Sequence, residues 1–199
     1  MLAFDLETTG LDPSQHIITC AGVYDPDNRL ERVFIFPKVY FFILGYFMSC
    51  RDEGDFIILI YIFPQGDDPE DFMVLLDQAD RLCSFNGVRF DIPFIQKCFN
   101  VPASRISNWR RKLHDIFEGC KLSLNVTFPL HMLLKVNNLP GKNGNGSDAI
   151  LLAKNQEWDK LCEYCLNDTK MTHIVSSLPV ILIPRTTGLY MNVRGGISK

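Results

Sequence analysis

The chain has 199 residues, of which 47% are apolar and 22% charged, a size and composition that can bury a core and that predict one globular domain over residues 1–199. The net charge of −3 comes without a long basic or acidic run, which excludes binding of nucleic acid through a global positive field and requires a local patch instead. The seven cysteines show no paired zinc spacing and no secretory leader is recognisable, so we expect reduced thiols in an intracellular compartment, either cytoplasm or nucleus.

Three strands are predicted at the start of the chain. MLAFDLETTG alternates apolar and acidic side chains before a Thr-Thr-Gly turn, which is typical of a strand that ends at the turn. HIITCAGVYD and RLERVFIF are β-rich runs on either side of Pro26, Asp27 and Asn28, the residues of a tight turn. This pattern predicts an antiparallel hairpin after the first strand.

Helices and strands are predicted to alternate in the rest of the chain. PEDFMVLLDQA has a helical period, RLCSF is a short apolar run, and NGVRFDIPFIQKCF leads from a glycine turn into a helix. KLHDIF predicts a fifth strand, and LSLNVTFPLHMLLKV predicts a helix that is kinked at Pro129. Two further helices are expected over about 148–153 and 157–176. This order predicts an α/β fold, with a mixed sheet of about five strands, the first three antiparallel, flanked by helices.

The apolar segment at about 39–65 interrupts this order. Its two apolar runs are each shorter than the roughly 20 residues that span a bilayer, so no stable membrane association is expected. An extra hairpin and an interfacial anchor remain open as alternatives. A further hypothesis is that the segment is translated intron sequence. Codons that match splice boundaries can encode the residues at both of its ends. Its removal would leave a short connection between the third strand and the first helix. The tail at about 178–199 is expected to be loose or to add an edge strand.

Acidic side chains occur at three separated places. Asp5 and Glu7 are two residues apart on the first strand and therefore share one face, with a solvated strand face as the plain alternative. Asp91 stands at the start of a helix in SFNGVRFDIPFI, a position that is also typical of a helix cap. Tyr164 and Asp168 are four residues apart in CEYCLNDTKMT and share one helix face, a pairing that also arises by chance.

Four carboxylates in one small volume repel each other unless cations neutralise them. Their repulsion raises their pKa values, and Mg²⁺ or Mn²⁺, hard cations that prefer oxygen ligands, relieve this cost. Two such ions about 4 Å apart stabilise both the attacking and the leaving oxygen of an in-line displacement at phosphorus. Convergence of these acids in the fold therefore predicts a metal-dependent phosphodiesterase.

The segments DLETTG, NGVRFD and YCLND resemble the three exonuclease motifs of the DEDD superfamily of RNase H-like enzymes, in their order and approximate separation. The matching segments cover about 1–36 and 67–176, and they are similar to stand-alone exonucleases related to the proofreading domain of family B DNA polymerases. Tyrosine four residues before the last aspartate is typical of the DEDDy type. The resemblance implies an RNase H-like fold and a 3′-5′ exonuclease that hydrolyses single-stranded nucleic acid, preferably DNA, to nucleoside 5′-monophosphates.

The resemblance also implies roles for the acidic side chains and the tyrosine. It makes Asp5, Glu7, Asp91 and Asp168 the ligands of two Mg²⁺ or Mn²⁺ ions. It makes Tyr164 the residue that orients the nucleophilic water.

Substrate contacts are implied for four further residues. By the resemblance, Thr8 and Thr9 contact the terminal nucleotide. Asn86 and Phe90 lie along the single strand, although a turn-forming asparagine and a core phenylalanine are the plain alternatives. Lys142, in a glycine-rich loop, is a candidate phosphate contact that follows from the residues alone. A second candidate for phosphate contact, or else a solvated charge run, is the cluster of Arg105, Arg110, Arg111 and Lys112.

Two alternatives to a complete and active exonuclease are considered. Only four residues precede Asp5, which predicts a first strand shorter than the family's and leaves the completeness of the N-terminus open. A rival hypothesis is a catalytically inactive RNase H-like nucleic-acid-binding module, although inactive relatives are expected to lose acids and none is missing here. The sequence does not determine DNA or RNA as substrate, the protein partners, the pathway or the oligomeric state.

Overall fold

The computed structural model describes residues 1–36, 66–141, 146–184, 190–192 and 197–198. The predicted insertion at about 39–65 and Lys142 lie outside these residues. The strands of the described residues are β1 (Leu2–Thr8), β2 (Ile18–Asp25), β3 (Leu30–Ile35), β4 (Leu82–Ser84), β5 (Leu113–Asp115), β6 (Val180–Leu182), β7 (Tyr190–Asn192) and β8 (Ile197–Ser198). The helices are α1 (Pro69–Gln78), α2 (Asp91–Cys98), α3 (Ala103–Lys112), α4 (Ile116–Leu124), α5 (Leu130–Val136), α6 (Gly146–Lys154) and α7 (Trp158–Ser176).

Five strands form one mixed sheet in the order β3-β2-β1-β4-β5. β2 pairs antiparallel with both β1 and β3, whereas β4 pairs parallel with both β1 and β5. A single 3-10 turn over Pro26–Asn28 joins β2 to β3, and Arg29 adopts the left-handed conformation at its end. The predicted α/β class, with about five strands and the first three antiparallel, is confirmed.

Helices cover both faces of this sheet. Alternate side chains of a strand point to opposite faces, so a strand can contribute to the packing on both sides. Leu2, Phe4 and Leu6 of β1 belong to an apolar cluster that also contains buried side chains of α1, α2 and α3. On the opposite face, α7 packs against β1 and β2, and Cys20 and Cys165 lie in the apolar cluster there. β1 is therefore the buried centre of the fold.

The structure corrects the prediction of one helix kinked at Pro129. Asn125 adopts the left-handed conformation, with φ of 53°, and ends α4. Residues 125–129 then separate α4 from α5, which Pro129 precedes in an extended conformation. A proline in this position interrupts no helical hydrogen bond, so it marks a helix start and not a kink.

Helix α3 was not predicted, since its sequence indicated only a cluster of positive charge. Ile106 and Trp109 bury its inner face. Arg105 forms ion pairs with Glu70 at 2.8 Å and with Asp77 at 2.6 Å, both on α1. The charge of Arg105 is therefore paired within the protein, without a contact to a nucleic-acid phosphate.

The end of the chain differs from the expected loose tail or edge strand. β6, β7 and β8 form a separate antiparallel sheet in that order. Ile181 and Ile183 pack in one apolar cluster with Met171 and Val175 of α7. Among the described residues, no helix combines the length and the apolar character needed to cross a membrane.

The end of β3 lies directly beside the segment that leads into α1. The Ile35 amide donates to the Asp67 carboxylate at 2.8 Å, and the Asp67 amide donates to the Ile35 carbonyl at 2.9 Å. Arg32 adds an ion pair with Asp67 at 2.7 Å. Contacts among described residues therefore hold these two points together.

Candidate active site

β1 presents two carboxylates on the face that α7 covers. Glu7 is buried and Asp5 is half-buried, and the two alternate with apolar residues that enter the opposite core. The strand pairing shifts register between Glu7 and Thr8, at the end of the strand where the cavity described below opens. The shared face that the spacing of two predicted is present.

Gly22 allows α7 to approach the sheet closely. It lies opposite Asp5 in the strand register, and a Cβ atom there would be 3.1 Å from the Cys165 sulfur. The Cys165 thiol donates to the Asp5 carbonyl at 3.7 Å. The same helix carries Tyr164 and Asp168, both buried, against the sheet.

The turn after β4 carries the third acidic position. Asp91 is the first residue of α2, and Phe90 precedes it as the helix cap, so the capping interpretation does not describe Asp91. Its side chain is 2% exposed and accepts a hydrogen bond from the Leu6 amide of β1. Asn86 opens the turn in the left-handed conformation, and a Cβ at Gly87 would be 2.9 Å from the Asp91 carboxylate.

The electrostatics of Asp91 are unfavourable for a charged carboxylate. Burial raises the pKa of Asp91 well above its usual range, and the nearby carboxylates of Asp5 and Asp115 raise it further. A buried carboxylate that faces a second one must either stay protonated or be neutralised by a cation. The site therefore favours a positively charged ligand.

These side chains meet in one cavity of about 810 Å³. The predicted acids and the tyrosine all line this cavity, although they come from three distant segments of the chain. They are Asp5, Glu7, Asp91, Tyr164 and Asp168. The cavity lies beyond the carboxyl ends of the parallel strands β1 and β4, where ligands bind in open α/β sheets.

The donor atoms of the cavity fit a hard divalent cation. Oxygens of Asp5 and Glu7 and the sulfur of Cys165 all lie within 4.8 Å of one another. A hydrogen bond with Cys20, together with burial, raises the pKa of the Cys165 thiol, and sulfur is not a ligand that hard cations prefer. The remaining donors are carboxylate oxygens, the ligands that Mg²⁺ and Mn²⁺ prefer. Asp91 and Asp168 line the same cavity but are not part of this tight group.

The two threonines at the end of β1 lie in different surroundings. Thr8 lines the cavity, and its hydroxyl donates to the Gly10 carbonyl at 2.6 Å. The Thr9 hydroxyl accepts a hydrogen bond from the Ile17 amide at 3.1 Å and lies 3.3 Å from a ring nitrogen of His16. Thr9 does not line the cavity, so its contact with a terminal nucleotide stays a prediction.

The other predicted substrate contacts are divided between cavity and surface. Asn86 and Phe90 both line the cavity. Within the described part of the chain, the buried Oδ1 of Asn86 has no hydrogen-bond partner, whereas the Phe90 ring packs against Phe94 at 4.8 Å. Lys142 is outside the described residues. The basic cluster on α3 does not line the cavity, and the Lys112 ammonium donates to the Asp77 and Ala79 carbonyls at 2.7 and 2.6 Å.

Sequence reasoning missed an aromatic wall of the cavity. Phe85, Phe117 and Phe128 line it, with ring centroids 5.5 to 6.3 Å apart. Phe85 directly follows β4 and Phe117 follows the end of β5 by two residues, so both stand near the strand ends that face the cavity. Leu11 also lines it and is 81% exposed. The signal was the recurrence of phenylalanine beside the strand ends.

A comparison with protein families identifies the fold. The model of the family RNase_H_2, of the RNase H superfamily, matches residues 2–130, more than half of the chain. The chain belongs to the RNase_H_2 family. The predicted RNase H-like fold is thereby confirmed, and the match includes Asp5, Glu7 and Asp91 but ends before α7. No curated protein matches the chain.

Membership in RNase_H_2 indicates a coarse function. RNase H-like proteins are commonly metal-dependent nucleases, so a nuclease-type role in nucleic-acid processing follows for this chain. Such nucleases typically use divalent metals, in agreement with the acidic group around Asp5 and Glu7.

Proposed function

We propose that this RNase_H_2 protein is a DEDDy-type 3′-5′ exonuclease that releases nucleoside 5′-monophosphates from single-stranded nucleic acid. The observation that carries the proposal is the single cavity around Asp5, Glu7, Asp91, Tyr164 and Asp168. These five side chains come from β1, the start of α2 and the middle of α7. Chance pairs on separate surfaces would not share a cavity.

Asp5, Glu7, Asp91 and Asp168 would hold two divalent cations, whose chemistry when bound would be to activate water and to stabilise negative charge on the leaving oxygen. The chain supplies the ligands on rigid elements, since β1 is the buried centre of the sheet and α7 packs against it. Rigid placement of this kind limits the reorganisation that the reaction requires.

Tyr164 would orient the nucleophilic water through its hydroxyl group. It lies on the same face of α7 as Asp168, four residues away, and both line the cavity. The Y164F substitution should retain Mn²⁺ binding and lower the rate constant by about 10²-fold or more, because only the hydroxyl is lost. Isothermal titration and single-turnover rates separate the two effects.

The remaining walls of the cavity offer contacts that support the proposal of a single-stranded substrate. The rings of Phe85 and Phe117 are half-buried at the cavity wall and offer faces on which bases can stack. The Asn86 side chain also lines the cavity and offers a polar contact to a nucleotide. We propose DNA as the preferred substrate, and a comparison of matched DNA and RNA strands tests that choice.

The test is degradation of a 5′-labelled oligonucleotide with Mn²⁺ or with a chelator. We expect a ladder of products shortened from the 3′ end that requires Mn²⁺ and disappears in D5A and D168A. D159A is the matched control, because Asp159 is exposed on the same helix and away from the cavity, and it should retain the ladder. Full activity in D5A or D168A would contradict the proposal. Binding of the strand without any ladder would favour the inactive binding module instead.

A further inference from the structure

Asp115 lies outside the predicted acidic set, at the end of β5, and is 9% exposed. One carboxylate oxygen accepts hydrogen bonds from the amides of Asn86 at 3.0 Å and Glu118 at 3.1 Å. The other accepts from the Val88 amide at 2.9 Å. A single buried carboxylate therefore caps α4 and holds the turn that follows β4.

That turn leads without interruption to the ligand position. Phe90 donates through its amide to the Asn86 carbonyl at 3.0 Å, and Ile92 donates to the Gly87 carbonyl at 2.8 Å. The backbone from Asn86 to Asp91 is thus fixed at one end by Asp115 and at the other by the first turn of α2.

The turn packs closely against its neighbours at Gly87. A Cβ at Gly87 would lie 1.9 Å from the Ser84 hydroxyl and 2.9 Å from the Asp91 carboxylate. The backbone of the turn is therefore in close contact with the Asp91 carboxylate.

We propose that Asp115 is a positioning residue for the active site, which holds Asn86 and Asp91 in place through backbone amides while contacting neither substrate nor metal. Groups that orient metal ligands change metal affinity or activity by about 10–100-fold when they are removed. The inference rests on the proposed function for its activity readout and on Mn²⁺ affinity for an independent one.

D115N tests this role with little change of shape. Asparagine is also a good helix cap, so its oxygen can still accept from the Asn86 and Glu118 amides. Its NH₂ group, however, meets the Val88 amide, and two donors cannot form a hydrogen bond. The substitution therefore breaks the hydrogen bond from the Val88 amide and keeps the cap of α4.

E118Q is the matched control. The Glu118 side chain pairs with Arg89, an exposed second link between the same turn and α4, whereas its amide bond to Asp115 is unaffected by the substitution. Exposed ion pairs contribute little, so E118Q should bind Mn²⁺ like the unchanged chain.

The measurements are Mn²⁺ affinity by isothermal titration, the rate constant in single-turnover degradation, and circular dichroism to verify the fold. We expect D115N to weaken Mn²⁺ binding and slow degradation by about 10-fold or more, with E118Q unchanged. D115S, in which serine can still cap α4 but is too short to hold the turn as well, should weaken Mn²⁺ binding likewise, and it decides the question if D115N fails to fold.

Unchanged Mn²⁺ affinity in a folded D115N, or in D115S, would overturn the inference, as would an equal loss in E118Q. A chain that binds Mn²⁺ but degrades no strand would refute the exonuclease proposal alone. In that case the Mn²⁺ affinities of the variants still decide the role of Asp115.

Discussion

The substitution G22A probes the close packing of α7 on the sheet. This packing brings Tyr164 and Asp168 of α7 close to Asp5 and Glu7 of β1. A Cβ at Gly22 would lie 2.3 Å from the Thr169 Oγ1 atom and 3.1 Å from the Cys165 sulfur. Ordinary contact begins near 3.4 Å, so the helix or the Thr169 side chain has to move by about 1 Å. Rotation of Thr169 would break its hydrogen bond to the Cys165 carbonyl at 2.8 Å.

Both responses have a cost that can be estimated. Overpacking of a buried contact destabilises a fold by about 1–3 kcal/mol. A displacement of about 1 Å between catalytic groups lowers the rate by about 10²-fold. We therefore expect G22A to lower the free energy of unfolding by about 1–3 kcal/mol and the rate of degradation by about 10²-fold.

The assay combines urea unfolding with single-turnover degradation of a labelled strand. G141A is the matched control, because a Cβ at Gly141 would meet no atom of the described residues within 4 Å, and it should change neither quantity. T169A in the G22A background removes the nearest clashing atom and should restore part of both losses. Unchanged activity and stability in G22A, or a loss of the same size in G141A, would refute the proposed tight packing.

Two further predictions concern Asp91 and the predicted insertion. Because burial raises the pKa of Asp91, the folded metal-free protein keeps a proton that the unfolded chain releases, so its stability should fall as the pH rises from the ordinary aspartate value of 3.8 towards the raised value. In urea unfolding with a chelator present, D91N should reduce this decrease of the free energy of unfolding with pH. An equally steep decrease in D91N would contradict the prediction. Deletion of residues 39–65 should leave the melting temperature and the degradation ladder unchanged, because Ile35 and Asp67 already bond directly; insoluble protein would contradict this prediction.

The parts of the fold that local pattern determines were predictable. Alternation along β1 places Asp5 and Glu7 on one face, and a spacing of four places Tyr164 and Asp168 on one face of α7. Only the resemblance to known motifs indicated that these faces and Asp91 converge. Spacing cannot show convergence, because it depends on how distant segments pack.

The elements that were missed depend on contacts between distant segments. Helix α3 has only Ile106 and Trp109 as buried residues, and its ion pairs are with α1, so its sequence resembles a charge run. Asp115 in HDIF gave no sign that its partners are the amides of Asn86 and Val88, about thirty residues away. Backbone amides leave no trace in a sequence pattern.

The stoichiometry of Mn²⁺ binding tests the central claim most directly. The account requires that Asp5, Glu7, Asp91 and Asp168 share one cavity and are neutralised there by cations. Isothermal titration of the purified chain should give two bound Mn²⁺ ions. Binding should be lost in D5A and in D168A and should be unchanged in D159A. A chain that binds no Mn²⁺, or that binds it equally well in D5A and D168A, would contradict the account.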